Sequence, residues 1–338
     1  MKPTQSSKHY SEIDFIRVFA CFGIILYHFI HAEGYHFFRS FDFANGSWAH
    51  LLVSVFFAVS GFVLYQKYGT SKRMDVIAFY KKRAGGMLPL FWISYIYVLL
   101  IGLAASQLQF SLKPLWTWIL TLCEMDGYLS ARFETHYLIG EWFMGALIIV
   151  YLLFPLILKG IQKHPFVLLA VLVIADFAVD YYDIPTISLI YSNVTDCVLR
   201  VYMGMICAKY AIQNKRIWLG GSLIFLVIYT FVEIPYLEPV MLNAAGCALF
   251  IILFNAGSAI CRFHVPEKVI SYIASLSYPA FLIHSATIEG VLLFLTPDSW
   301  LMFWLVYAVI VIAILIQAAL LKWIDGKITI ALNGSLKM

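Results

Sequence analysis

The sequence has few charged residues. Asp, Glu, Lys and Arg make up 12% of the 338 residues, about half the share found in a soluble domain. Hydrophobic residues reach 62%, and apolar runs recur along the whole chain, each close to the roughly 20 residues that a helix needs to cross a bilayer. No stretch between these runs offers a folded soluble domain. The composition therefore predicts an all-α integral membrane protein, with residues 1–338 forming a single domain.

The sequence also lacks the patterns of disulfide frameworks, metal centres and phosphate loops. Its six cysteines are scattered, mostly within apolar runs, and form no CxxC pair or Cys/His ligand spacing. No glycine-rich phosphate loop accompanies the basic residues. We predict neither disulfide bonds nor a metal cofactor, and we expect membrane lipids rather than nucleic acid around the protein.

The apolar runs predict ten transmembrane helices. Their approximate bounds are 13–31, 48–66, 86–105, 138–158, 165–181, 189–208, 217–233, 239–256, 268–295 and 299–323. Lys and Arg are retained on the cytoplasmic side of membrane proteins. With the N-terminus inside, the predicted cytoplasmic segments hold 18 of the 23 Lys and Arg residues, and the outer segments hold three. This asymmetry predicts a multi-pass protein of the cell membrane with both termini in the cytoplasm.

Two predicted outer segments are more than simple connections. Residues 111–125 are apolar for only about eleven residues, which is too short for a crossing and favours a re-entrant or interfacial helix. Residues 31–48 are rich in aromatic, histidine and charged side chains. We expect the two segments together to cover an outward-facing cleft.

The first predicted span carries ionisable residues that hydrocarbon disfavours. Ser11 and Asp14 resemble a capping box, which predicts that the helix begins there. Arg17 and His28 are eleven residues apart, about three turns plus 20°, so they share one face and lie roughly 16 Å apart along the axis. In one interpretation, both residues anchor the helix at the membrane surfaces. In the other interpretation, the helix face that carries Arg17 and His28 lines a water-filled or ligand-filled interior. This is the usual setting of charged groups within transmembrane helices.

These residues resemble the start of the acyltransferase 3 family, whose first helix carries an arginine and a histidine separated by ten residues. Further segments resemble motifs of that family in the same order: FFAVSGFVL (56–64), FYKKRAGGMLPLFW (79–92), WFMGALIIVYLLFP (142–155) and IASLSYPAFLIHS (273–285). The resemblance covers most of the chain. It implies a membrane enzyme that moves acyl groups, usually acetyl, from cytoplasmic acyl-CoA to extracytoplasmic acceptors.

One departure from the family concerns the fourth predicted span. Many polysaccharide-modifying members have a carboxylate a few residues after the tryptophan that corresponds to Trp142. This chain has Leu147, Ile148 and Ile149 in that neighbourhood. Glu141 is the nearest acid, and it is our candidate for a catalytic carboxylate.

The chemistry of acyl transfer suggests roles for the residues of the first span. His28 lies near the outer end, and a histidine titrates near neutral pH, so we assign it as the general base. His31, one turn further, is either a substrate-binding residue or an interfacial histidine. Arg17 lies near the cytoplasmic end, where it either binds the phosphate or pantetheine part of acetyl-CoA or simply pairs with Asp14.

Later motifs supply the other candidates. Arg83 matches the basic loop of the family, and we predict that Arg83 and Arg73 bind CoA phosphates, although basic residues there also fit a topology signal. Ser60 is either a substrate-binding residue or a helix-packing residue. His284 is either a substrate-binding residue or a buried, hydrogen-bonded histidine. Pro279 is expected to kink the helix of His284 and so to border a cavity.

The sequence therefore predicts an acyl-CoA-dependent O-acyltransferase that places an acetyl or other short acyl group on a cell-surface glycan or its lipid-linked precursor. Two other classes of protein stay open. A transporter of a small polar solute predicts inverted repeats and paired broken helices. A non-catalytic scaffold of a glycan-assembly complex needs no ionisable stripe.

Overall fold

The computed structural model describes residues 9–34, 48–71, 73–104, 113–130, 132–139, 141–182, 193–211, 215–232, 237–261 and 267–335, with backbone alone for Glu141, Lys215 and residues 332–335. Every regular element within these ranges is helical, which confirms the all-α prediction. The α-helices are α1 (Ser11–Glu33), α2 (Trp48–Tyr68), α3 (Val76–Ala104), α4 (Trp118–Leu122), α5 (Asp126–Leu129), α6 (Glu141–Lys163), α7 (Pro165–Tyr181), α8 (Val194–Tyr210), α9 (Lys215–Phe231), α10 (Glu238–Ile260), α11 (Glu267–Ser275), α12 (Ser277–Leu292) and α13 (Trp300–Ser335).

Six of these helices are long and apolar enough to cross a membrane. They are α1, α2, α3, α6, α10 and α13, and α11 with α12 forms a seventh, bent candidate. The helices α7, α8 and α9 have 17 residues each. Each of the ten predicted spans overlaps one of these helices or the bent pair. The protein is a multi-pass helical membrane protein, whereas the count of ten crossings and the cytoplasmic termini stay predictions.

The packing of α2 against α8 depends on two glycines. A β-carbon added to Gly61 would overlap the backbone of Val201, and one added to Gly204 would overlap the backbone of Ala58. Small residues let membrane helices approach this closely. Gly61 is therefore a packing residue, which leaves the neighbouring Ser60 on a different face of α2.

Three helices meet around a buried polar network. Arg200 Nε of α8 donates a hydrogen bond to Asn243 Oδ1 of α10 at 2.6 Å. Asn243 Nδ2 donates to the carboxylates of Asp176 in α7 and Asp196 in α8, at 2.9 and 2.8 Å. Charged groups inside a helical bundle are tolerated when they bond to one another. The network accounts for Asp196 and Arg200, two ionisable residues of α8.

The predicted kink near Pro279 is confirmed, with the break itself at Leu276. There, α11 and α12 meet at 58°. Pro279 is the third residue of α12, where its missing N–H removes no helical hydrogen bond. The break brings Ser277 and Tyr278, the first residues of α12, to the wall of an internal cavity.

The segment 113–130 consists of short helices, namely a 3-10 turn, α4 and α5. At the end of α4, the Leu122 carbonyl accepts a hydrogen bond of 3.2 Å from Trp92 Nε1, near the middle of α3, and Glu124 bonds to Tyr278 of α12 at 2.9 Å. The segment thus packs against α3 and α12, and the choice between a re-entrant and an interfacial helix for residues 111–125 stays a prediction. Most of the other predicted cover, residues 35–47, lies outside the described ranges.

Candidate functional site

Two cavities lie along α1. The inner cavity has a volume of about 970 Å³ between α1, α2, α3, α6 and the bent pair, and both Arg17 and Arg83 line it. The outer cavity has a volume of about 720 Å³ between α1, α2 and the start of α6, and His28 lines it. The names inner and outer follow the predicted topology, in which Arg17 lies near the cytoplasmic end of α1 and His28 near the outer end. The ionisable face of α1 thus borders interior space at both ends.

The two arginines of the inner cavity have hydrogen-bond donors that are available to a ligand. Arg17 Nη1 lies 4.0 Å from Asp14 Oδ1, at the outer limit of an ion pair, and Asp14 Oδ2 lies 2.9 Å from His9 Nε2. The Arg83 guanidinium lies 5.1 Å from the ring centre of Tyr151, and its buried Nε has no hydrogen-bond partner among the described residues. An anion with oxygen acceptors would satisfy these donors.

The N-terminus of α1 differs from its prediction. The helix begins at Ser11 as expected, but Tyr10 occupies the N-cap position and makes no side-chain cap hydrogen bond. The predicted capping box of Ser11 and Asp14 is wrong, because the Asp14 carboxylate is directed to His9 and Arg17. Pairing of Arg17 with Asp14 and exposure of Arg17 to the cavity therefore occur together.

Histidines dominate the outer cavity. His28, His31 and His50 all line it, with the aromatic rings of Tyr27 and Trp142 beside them. These histidines come from α1 and from the start of α2. The outer cavity therefore offers neutral or titratable groups together with flat apolar surfaces.

His28 also contacts His284. Their ring centres are 4.6 Å apart in an edge-to-face arrangement. His284 is buried, and its Nδ1 lies 2.6 Å from the carbonyl oxygen of Phe281. A carbonyl only accepts, so we assign the hydrogen of His284 to Nδ1 and leave Nε2 as an acceptor. His284 thus supports the ring of His28.

Three phenylalanines separate the cavities. Phe56, Phe143 and Phe281 line the inner cavity at its outer end. The ring of Phe143 packs against Phe281 at 5.3 Å and against Phe56 at 6.1 Å, and Phe281 packs against His284 at 5.4 Å. The rings therefore connect the lining of the inner cavity to His284, which contacts His28.

The remaining predicted residues are found in different settings. Ser60 lines the inner cavity with the arginines, whereas His31 shares the outer cavity with His28. Arg73 is exposed between α2 and α3 and is not among the described residues that line either cavity. The side chain of Glu141 lies outside the described residues. The roles assigned to all these residues stay predictions.

Sequence reasoning missed Glu124. Its carboxyl is 2% exposed, Oε1 bonds to the Tyr278 hydroxyl, and Oε2 has no partner among the described residues. Glu124 lies in the turn between α4 and α5. The available signal was a pair of acids, Glu124 and Asp126, at the end of an apolar stretch. His50 was also missed, although it lies at the start of a predicted span.

The fold and the two cavities define a multi-pass membrane protein with one cavity that is cationic and a second that is rich in histidine. The chain belongs to the acyltransferase 3 family, because residues 10–323 match the model of its acyltransferase domain. The match covers nearly the whole chain, and the protein is a membrane acyltransferase. Comparisons with curated proteins and with solved structures gave no match.

Proposed function

We propose that the protein transfers an acetyl or other short acyl group from cytoplasmic acyl-CoA to a hydroxyl of an extracytoplasmic glycan or its lipid-linked precursor. One observation carries the proposal. Arg17 and His28 lie on one face of α1 and open into different cavities. A donor with an anionic end and a reactive end, and an acceptor that approaches from the other side, both fit this arrangement.

The donor end of the proposal rests on the inner cavity. Coenzyme A carries phosphates at one end and its thioester at the other, joined by the flexible pantetheine arm. Guanidinium groups bind phosphate oxygens through paired donors, and Arg83 Nε is such an unused donor. The distance of roughly 16 Å along α1 from Arg17 to His28 suits an extended arm.

The acceptor end rests on His28. As the acceptor oxygen attacks the thioester carbonyl, His28 removes its proton, and a positioned base of this kind contributes about 10²- to 10⁴-fold in rate. The C–S bond then breaks, CoA leaves as a thiolate that takes a proton from water, and His28 returns its proton to solvent. His284 packs against His28 and restricts its orientation.

The two rival functions make different demands on the fold. A transporter of the kind considered above predicts paired broken helices, and the described helices include one bent pair, α11 with α12. A scaffold would require neither donors in the inner cavity nor a histidine pair. Both rivals are distinguished from the enzyme by acetyl-CoA binding and product formation.

The test uses sealed membrane vesicles whose interior corresponds to the cytoplasm. Acetyl-CoA labelled in the acetyl group is loaded inside, and label is measured in the external glycan and glycolipid fractions. We expect label with the wild-type chain and none with His28→Ala. Free label outside without ester product would favour a transporter, and purified protein that does not bind acetyl-CoA would contradict the proposal.

A further inference from the structure

Glu124 occupies a backbone position that favours glycine. After α4, Met125 N–H donates to the Leu120 carbonyl at 2.8 Å, and Glu124 N–H donates to the Thr121 carbonyl at 3.0 Å. These two bonds are the Schellman motif, whose residue after the C-cap adopts the left-handed conformation. Glu124 has φ of 59° and is the one non-glycine residue with positive φ in the described ranges. Because a β-carbon is disfavoured in this conformation, the presence of glutamate rather than glycine requires another explanation.

The side chain of Glu124 reaches the wall of the inner cavity. Its Oε1 and the carbonyl oxygen of Met87 lie 2.9 and 3.0 Å from the hydroxyl of Tyr278, which lines that cavity. The hydroxyl has one hydrogen, and the Met87 carbonyl only accepts. Both contacts are therefore hydrogen bonds only when Glu124 is protonated and donates to the Tyr278 oxygen.

A neutral Glu124 also agrees with its surroundings. The buried Oε2 has no hydrogen-bond partner among the described residues. Burying the unpaired carbonyl oxygen of a protonated carboxyl costs less free energy than burying an unpaired oxygen of a charged carboxylate. In this arrangement Tyr278 donates to Met87, accepts from Glu124, and keeps a lone pair for a further donor.

Resting on the acyl-CoA function proposed above, we infer that Glu124 is a positioning residue whose protonated carboxyl orients Tyr278 so that its oxygen accepts a hydrogen bond from a pantetheine amide. Tyr278 lies six residues before His284 on α12, about 9 Å along the helix. It therefore borders the path between the arginines and His28 at the level of the arm. The hydrogen bond between Tyr278 and the pantetheine amide sets how far the thioester extends towards His28.

The experiment compares two probes on purified full-length protein. Coenzyme A carries the pantetheine arm, and adenosine 3′,5′-bisphosphate lacks it. Glu124→Ala and Tyr278→Phe should weaken coenzyme A binding about fivefold to tenfold, the effect of one hydrogen bond, and leave the bisphosphate unchanged. Arg17→Ala should weaken both probes. Tyr202→Phe is the control, since its buried hydroxyl bonds to Pro165 in another part of the bundle.

Two further variants separate the role of Glu124 from simple stability. Glu124→Gln should bind coenzyme A within about twofold of wild type, because its amide donates to Tyr278 as the protonated carboxyl does. Glu124→Gly should unfold at a higher temperature than Glu124→Ala, since glycine accepts the left-handed conformation, yet bind coenzyme A as weakly.

Several results would overturn the inference while leaving the proposed function intact. They are wild-type coenzyme A affinity in Glu124→Ala and Tyr278→Phe, equal weakening of both probes in these variants, and a Glu124→Gln variant as weak as Glu124→Ala. A wild-type protein that binds neither probe would instead contradict the acyl-CoA function, and the inference with it.

Discussion

The inner and outer cavities differ in charge although α1 lines both. The inner cavity has two guanidinium groups in its wall. The described lining of the outer cavity has no Asp, Glu, Lys or Arg, and its polar groups are three imidazoles and a tyrosine. A fixed charge suits the binding of an anion, whereas a group that titrates near neutral pH suits proton transfer. In the function that we propose, binding and chemistry are therefore separated along one helix.

The wall between the cavities is apolar. Phosphate and hydroxyl groups gain nothing from Phe56, Phe143 and Phe281, whereas a short acyl group loses little when it lies among them. We expect this apolar wall also to limit the access of water from one cavity to the other. This arrangement suits a thioester, because water competes with the acceptor for the same carbonyl carbon.

The largest effect is expected from the base. His28→Ala should lower acyl transfer by about 10²- to 10⁴-fold, because no other group then removes the hydroxyl proton in the right place. Transfer of labelled acetyl to the glycan fraction measures this loss. His31→Ala is the matched control in the same cavity. If His31→Ala lost transfer and His28→Ala did not, the base would lie one turn further out.

The next effect tests the shared face of α1. In the double mutant Tyr27→His/His28→Tyr the imidazole turns by about 100° around the helix axis while the composition is unchanged. We expect most of the transfer activity to be lost, because the new histidine no longer faces His284 and the outer cavity in the same way. The single variant Tyr27→Phe, with His28 in place, should stay active. Full transfer activity in the double mutant would contradict the claim that the histidine must share one face of α1 with Arg17.

A smaller effect is expected at the inner cavity. Arg17→Ala and Arg83→Ala should each weaken acetyl-CoA binding by roughly tenfold, and added salt should weaken binding to the wild type. Lysine should restore more affinity at position 83 than at position 17, where paired donors matter more. Titration calorimetry measures the affinities. Arg216→Ala, on the exposed surface of α9, is the control, and equal losses in all three alanine variants would indicate a general charge effect.

The smallest effect concerns the wall. Phe143→Ala should raise the hydrolysis of acetyl-CoA in the absence of acceptor by about twofold to tenfold, because water then reaches the thioester more easily. Release of the CoA thiol reports this rate. Phe250→Ala removes another buried ring, from α10 and away from both cavities, and should leave hydrolysis unchanged. Equal rates in both variants would show that the rings do not limit the access of water.

Much of the fold was predictable, because long apolar runs indicate membrane helices. The bend near Pro279 was also predictable, because a proline acts on its own helix. The position of the segment 113–130 within the bundle was not predictable, because it depends on contacts such as that between Glu124 and Tyr278, which are 154 positions apart. The prediction of a capping box failed for a related reason. The carboxylate of Asp14 lies near the side chains of His9 and Arg17 and does not cap the start of its own helix.

The site was predictable in part. Helical periodicity placed Arg17 and His28 on one face, and the structure gives each of them a cavity. Periodicity within one helix cannot show that His284 meets His28, that His50 joins the outer cavity, or that Ser60 faces the arginines. These contacts arise between helices whose order in space the sequence pattern leaves open.

The central claim is that Arg17 holds the donor and His28 performs the chemistry. It is tested most directly by measuring acetyl-CoA affinity and acetyl transfer on the same preparations of wild type, Arg17→Ala and His28→Ala. We predict that His28→Ala binds acetyl-CoA as wild type does and transfers nothing, and that Arg17→Ala binds weakly but recovers most of its transfer at saturating acetyl-CoA. Loss of affinity in His28→Ala together with normal affinity in Arg17→Ala would contradict the account.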